Sequence, residues 1–97
     1  MATFVLLTKV SRRGITQMRH LAEMDREFEQ KLRTTCPEVR RIASYALLGP
    51  YDFLHIFEAP DEKTAAKVAL LANCFGVEST QTLTAIPFDE FTALLQE

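Results

Sequence analysis

The sequence is poor in the residues on which many site-specific chemistries depend. Its 97 residues include no Trp, two Cys, two His, three Gly and four Pro. Cys36 and Cys74 lack the paired spacing of a zinc site, and we expect two reduced thiols, Cys36 beyond a helix end and Cys74 packed inside a helix. No Gly-rich phosphate loop, Ser-His-Asp spacing or HxxxH pair is present. Neither a nucleotide-binding enzyme nor a metal or cofactor site is therefore expected.

Long apolar runs and an excess of one charge are also missing. No stretch approaches the ~20 apolar residues of a membrane span, and the opening MATFVLLTKV lacks the basic region of a signal peptide. Net charge is −2, whereas a nucleic-acid partner would require a basic face. The pairs Arg12-Arg13 and Arg40-Arg41 are interpreted as solvated surface. These observations predict a cytoplasmic protein with no membrane or nucleic-acid partner.

The pattern of apolar residues predicts one domain over residues 1–97, with the element order β-α-β-β-α-β and a short terminal helix. Pro37, Pro60 and Pro87 mark the ends of elements, Asp61 is a helix N-cap, and Gly76 suits the left-handed position after a helix. The predicted strands are 3–9, 39–48, 53–59 and 77–86, and the predicted helices are 15–35, 62–75 and 88–95.

This order divides into two βαβ-like halves, which is the plan of a ferredoxin-like α+β sandwich. We therefore predict a four-stranded antiparallel sheet with the helices on one face. In this plan the first and third strands lie at the centre of the sheet.

The segment GPYDFLHIFEAPDE, residues 49–62, contains a strand that is apolar on both faces. His55 and its Phe neighbours point one way, whereas Leu54, Ile56 and Glu58 point the other way. Because the helices cover only one face, the other needs a cover of its own. We predict a homodimer that pairs the two sheet faces about a two-fold axis. The alternative is that the terminal helix folds over this face.

The segments LGPYDFLHIFEAPDE and FGVESTQTLTAIPFDEF resemble the GYD domain family, small bacterial and archaeal proteins named for a Gly-Tyr-Asp signature. Gly49, Tyr51 and Asp52 carry the signature here, with Pro50 inserted. The resemblance covers nearly the whole chain and implies a ferredoxin-like fold related to dimeric α/β-barrel proteins. Relatives in the wider fold include cofactor-free oxygenases, haem-handling proteins, stress-responsive proteins and ligand sensors, so the fold alone selects no activity.

Five polar residues are candidates for a site. Glu58 is either a proton-transfer carboxylate in a pocket or a solvated strand-end carboxylate. His55 is either a general base or haem-type ligand, or a core or interface histidine. Tyr51 and Asp52 either bind a polar ligand at a pocket mouth or form a turn device, and Tyr45 is a further ligand-binding candidate.

Two classes of function are consistent with these residues. In the first, a homodimer binds a small apolar or amphipathic molecule between sheet and helices, as a binding protein or as a cofactor-independent oxygenase-like enzyme. In the second, the protein is a non-catalytic interaction or sensor module, and the dimer or a heteromer is itself the function.

Overall fold

A computed structural model of the chain describes residues 1–10 and 20–96. The element order confirms the predicted succession of strands and helices. The predicted first turn of the first helix, residues 15–19, lies outside the described residues. The elements are β1 (Ala2–Val10), α1 (Leu21–Thr35), β2 (Arg40–Ala46), β3 (Phe53–Ala59), α2 (Glu62–Asn73), β4 (Val77–Ala85) and α3 (Phe88–Leu94).

The four strands form one antiparallel sheet in the order β2-β3-β1-β4, which confirms the ferredoxin-like plan with β1 and β3 at its centre. Phe4 lies opposite Phe57 and Leu6 lies opposite His55. Because side chains alternate along a strand, this register sends these residues to the helix-covered face. The intervening residues of both strands form the opposite face, which is called the open face below.

The core lies between the sheet and helices α1 and α2. Phe4 and Phe57 stack with their ring centroids 5.7 Å apart. Leu32 is the one buried residue of α1, so this helix contacts the core along a narrow stripe. The buried apolar residues are Phe4, Leu6, Leu32, Cys36, Val39, Phe57, Ala59, Ala65, Val68 and Ala72.

The two ends of α2 follow local chemistry. The Asp61 carboxylate accepts hydrogen bonds from the backbone N–H of Thr64 (2.8 Å) and from its hydroxyl (2.7 Å), which confirms the N-cap. Gly76 has φ 83°, a left-handed conformation that glycine adopts without strain. No helix in the described part of the chain is long and apolar enough to span a bilayer.

The two cysteines differ in their surroundings. Cys36 is buried and follows the last residue of α1, as predicted. The prediction that Cys74 packs inside a helix was wrong, because α2 ends at Asn73 and Cys74 is exposed. Apolar spacing alone did not show where the last turn of α2 stops.

The open face has no helix layer among the described residues. The molecule measures 51 × 32 × 18 Å, and its short dimension corresponds to one sheet and one layer of helices. Helix α3 buries none of its residues, and Phe88 is 77% and Leu94 is 56% exposed. The alternative in which α3 packs its apolar side over the sheet is therefore not what the chain adopts.

Candidate functional site

A cavity of about 450 Å³ lies between the sheet and the helices. Residues from all four strands and from α1 and α2 contribute to its wall, and most of them are apolar. A cavity of this size and character is typical of a small-molecule site. The apolar lining includes Leu21, Met24, Phe28, Phe53, Phe75 and Val77. The polar lining is Thr8, Asp25, Arg41, Ser44, Tyr45 and His55.

His55 brings a polar ring to this apolar wall. It lies at the middle of β3, opposite Ser44 of β2, and its Nδ1 is 2.8 Å from the Ser44 hydroxyl oxygen. Burial is the main cause that lowers the pKa of the imidazole, and the Arg41 charge lowers it further while Asp25 opposes the shift. The ring is therefore neutral at neutral pH, when it can both donate and accept a hydrogen bond.

Arg41 joins the edge strand to α1. Its guanidinium donates to Asp25 at 3.0 Å and to Glu29 at 3.2 Å, and it lies 5.6 Å from the centre of the Phe28 ring. Burial by itself lowers the pKa of this guanidinium, and the hydrogen bonds and charges of Asp25 and Glu29 more than offset that effect. Arg41 therefore stays charged, with both of its Nη groups bonded to carboxylates.

Sequence reasoning missed Arg41 and Ser44 because strand alternation places residues three apart on opposite faces. The pairing of β2 with β3 shifts between Arg41 and Ala43. This irregularity places Arg41 opposite Phe57 and Ser44 opposite His55, so both reach the helix-covered face. No signal in the sequence indicates the bulge.

The interpretation of the two arginine pairs as solvated surface was wrong for Arg41, whose side chain is only 24% exposed. It agrees with Arg40, which is exposed. The pair Arg12-Arg13 lies outside the described residues.

Glu58 lies away from the cavity. It is paired with Thr3 of β1 and Arg40 of β2, on the open face, and it is not among the residues that line the cavity. Tyr45 lies opposite Leu54 on the edge strand, is 58% exposed and borders the cavity. The structure therefore places His55 in the cavity wall and Tyr45 at the exposed edge of the cavity, in register with the open face, whereas Glu58 lies on the open face away from the cavity.

The signature residues Tyr51 and Asp52 tie the β2–β3 loop to the rest of the sheet. The Asp52 carboxylate accepts a hydrogen bond from the Val10 amide at 2.7 Å, and the Asp52 amide donates to the Thr8 carbonyl at 2.8 Å. The Tyr51 hydroxyl donates to the Gln81 side chain at 2.6 Å. Neither residue lines the cavity. This geometry matches the turn-device interpretation, with contacts that extend to β1 and β4.

A metal centre has no support in the described part of the chain. Within residues 1–10 and 20–96, no group of three or more His, Cys, Asp or Glu side chains is arranged to hold a metal ion. The polar groups at the cavity include the Ser44–His55 pair and the Arg41 ion pairs, in a mostly apolar wall.

Comparison with known proteins agrees with this fold. The family profile described as GYD domain matches residues 4–95. The chain belongs to the GYD domain family. A relative from Thermus thermophilus, named "Glutamine synthetase and cystathionine beta-lyase binding protein", is 36% identical over 96 residues. That match covers 99% of this GYD domain protein and 100% of the relative.

Solved structures support the same fold at lower identity. TTHA0845, also from Thermus thermophilus, superposes with a TM-score of 0.59 at 21% identity, covering 90% of this chain and 95% of that one. At3g17210 from Arabidopsis thaliana superposes with a TM-score of 0.63 at 10% identity, and the match covers 90% of this chain and 95% of that one. MtbAldR superposes with a TM-score of 0.63 at 15% identity. That match covers 89% of this GYD domain protein but only 53% of the longer MtbAldR chain. These likenesses show the fold alone.

Proposed function

We propose that this GYD domain protein is a homodimeric, non-catalytic interaction module that binds other proteins. The observation that carries the proposal is the uncovered apolar centre of the open face. The name of the Thermus relative, which is similar along its whole length, supports the choice of proteins as partners. The enzymes named there, a glutamine synthetase and a cystathionine β-lyase, are the first partners to test.

The open face has the composition of an interface core. Its centre is formed by Val5 and Leu7 of β1 and by Leu54 and Ile56 of β3, all half-buried, and Leu83 of β4 adds a side chain that is 41% exposed. An apolar centre within a polar margin is the usual anatomy of a protein interface. The polar margin consists of Thr3, Lys9, Arg40, Glu58 and Gln81.

A second copy is the simplest cover for this face. About a two-fold axis, the same patch on both subunits faces itself, so an apolar centre meets an apolar centre. The side chains are already partly shielded by their neighbours, so each contributes only part of the ~1.5–3 kcal/mol that full burial provides. Summed over the two subunits, these burial free energies favour association. Glu58 and Arg40, which are cross-strand neighbours on this face, then lie at the margin of the interface.

Native mass spectrometry and light scattering test the dimer. We expect the wild-type protein to be a dimer at micromolar concentration, and Leu54→Lys to be a monomer, because it places a charge at the centre of the open face. The matched control is Leu70→Lys on α2, where the side chain is 65% exposed and lies away from the sheet. A wild-type monomer, or a dimer that survives Leu54→Lys unchanged, contradicts the proposal.

Binding to enzymes is tested separately. The purified dimer is immobilised, and the glutamine synthetase and cystathionine β-lyase of the source organism are passed over it. We expect saturable binding of at least one of them at micromolar concentration or below, with an unrelated enzyme as control. If neither enzyme binds, the proposal that this protein shares the partners of the Thermus relative is wrong. The dimer is tested independently by the previous experiment.

The cavity favours a second function, the binding of a small apolar or amphipathic molecule. Its volume, its apolar wall and the Ser44–His55 pair match the composition of small-molecule sites, in which a few polar groups orient a mostly apolar ligand. Native mass spectrometry of the purified protein tests this function directly, since a retained molecule adds its mass to each subunit.

A further inference from the structure

A continuous series of polar contacts leads from α1 into the cavity. The carboxylates of Asp25 and Glu29 hold Arg41, whose Nη2 lies 3.5 Å from the Ser44 hydroxyl oxygen. Ser44 in turn contacts Nδ1 of His55 at 2.8 Å. His55 is the last member of this series, and its ring forms part of the cavity wall. The series therefore determines which polar group the cavity wall presents to a bound molecule.

The charges at the cavity neutralise one another. Arg41 is paired with Asp25 and Glu29. Glu29 is also paired with Arg33 at 2.9 Å, so two positive charges face two negative charges. The Phe28 ring covers the Arg41 guanidinium, whose positive charge is therefore not available to an anionic ligand. The Asp25 carboxylate, facing the same cavity, is occupied by Arg41 and repels an anion further. An ionised ligand would lose its hydration without gaining a partner of opposite charge. The site therefore selects an uncharged molecule.

The direction of the hydrogen bonds follows from Arg41. A guanidinium only donates, so the Ser44 oxygen accepts from Arg41. The Ser44 hydroxyl has one hydrogen to donate, and we take it to be donated to Nδ1 of His55. A neutral imidazole that accepts at Nδ1 carries its hydrogen on Nε2. No described residue bonds to Nε2, and no fully buried side-chain nitrogen or oxygen in the described residues lacks a partner. On a ring that lines the cavity, Nε2 is the N–H donor that this arrangement offers to a bound molecule.

We propose that the cavity binds an uncharged, mostly apolar molecule through a hydrogen-bond acceptor, such as a ketone, ester or amide oxygen, placed at Nε2 of His55. Phe28, Phe53 and Phe75 in the wall suit a flat ring system, because aromatic side chains pack well against flat rings. The ~450 Å³ volume admits two or three fused rings with a short substituent. This inference rests on the second proposed function and adds the class of ligand.

Two dyes of similar size separate the ligand classes. Prodan is an uncharged naphthalene ketone, and 1-anilinonaphthalene-8-sulfonate carries a permanent negative charge. We expect the wild-type protein to bind Prodan at least 10-fold more tightly than the sulfonate. If neither dye binds, the ligand-binding function itself fails. If the sulfonate binds as tightly as Prodan, the inference about class is wrong while ligand binding stands.

Variants of His55 test the donor. We expect His55→Phe to weaken Prodan binding about 3–10-fold, the effect of one lost hydrogen bond, and to shift the bound emission to shorter wavelength. His55→Gln retains an N–H donor near the same position and should recover most of the affinity. Leu70→Lys is the surface control and should leave it unchanged. Equal affinity and emission in wild type and His55→Phe would overturn the proposal.

The wild-type protein provides a readout that does not depend on a variant folding. Nitrogen-15 NMR of the His55 ring distinguishes the tautomer with hydrogen on Nε2 from the tautomer with hydrogen on Nδ1. We expect the Nε2–H form, and a change at Nε2 but not at Nδ1 when Prodan is added. The Nδ1–H form would show that the site offers an acceptor, contrary to the proposal.

Discussion

Replacement of Asp52 by Ala should destabilise the fold without altering the cavity wall. The carboxylate accepts the Val10 amide hydrogen at 2.7 Å in a partly buried position, across 42 residues of chain. A hydrogen bond to a charged group contributes about 1.5–3 kcal/mol, and its loss leaves the amide without an acceptor. Because the Asp52 backbone contacts to Thr8 and Leu47 remain in the Ala variant, we expect the loop to stay in place.

Urea unfolding followed by far-UV circular dichroism measures the loss of stability in Asp52→Ala. We expect Asp52→Ala to lower the free energy of unfolding by about 2 kcal/mol, which corresponds to a fall of about 8–16 °C in melting temperature for a domain of this size. Asp52→Asn keeps an acceptor oxygen without the charge, so its free energy of unfolding should fall by about half as much as that of Asp52→Ala. The dependence of free energy on urea should not change, since the same surface is exposed on unfolding.

Amide hydrogen exchange locates the effect. In Asp52→Ala the Val10 amide should exchange faster, while amides in the middle of β1 should change only by the global loss of stability. Glu78→Ala is the matched control, because Glu78 is an exposed carboxylate of β4. A stability within about 0.5 kcal/mol of wild type, together with unchanged protection of Val10, would show that the signature carboxylate does not hold this end of β1.

Three further predictions concern the core and the polar series. Leu32→Ala should lower the free energy of unfolding by about 2–5 kcal/mol, because Leu32 is 0% exposed, and a loss below about 1 kcal/mol would contradict the packing. Arg41→Met should cost about 1–2 kcal/mol at low salt and less at high salt; a loss that does not depend on salt would exclude the ion pairs. The pKa of His55 is lowered from 6.5 in the folded protein, so its contribution to stability is full above pH 6.5 and is lost as pH falls below that value, because the unfolded chain binds the proton first. Urea midpoints at about pH 7.5 and about pH 5.5 should therefore differ more in the wild type than in His55→Phe, and equal differences would contradict the shift.

The element order could be predicted because its signals are local. Strands and helices differ in the period of their apolar residues, so β3 was predicted with its observed bounds, Phe53–Ala59. Asp61 and Gly76 act on neighbouring backbone groups, and their roles as N-cap and left-handed residue were therefore readable in advance. The signature segment was sufficient to indicate the GYD domain family.

The position of β3 in the sheet followed from the ferredoxin-like plan, in which the first and third strands lie at the centre. The observed order places β3 between β2 and β1, and its apolar pattern on both faces agrees with that position. The same pattern predicted which of its residues share a face with His55. It did not show which of the two faces carries the cavity, because both faces are apolar.

Local patterns in the sequence were thus enough to predict the order of elements, the N-cap of α2, the central position of β3 and the family. The tertiary structure alone decided that Asp52 meets Val10, that a bulge turns Arg41 and Ser44 to the same face, and that His55 lines the cavity while Glu58 lies on the open face. The physical reason is distance along the chain. Periodicity and capping act within a few residues, whereas these contacts depend on strand register, and a one-residue shift in register exchanges the two faces of a strand.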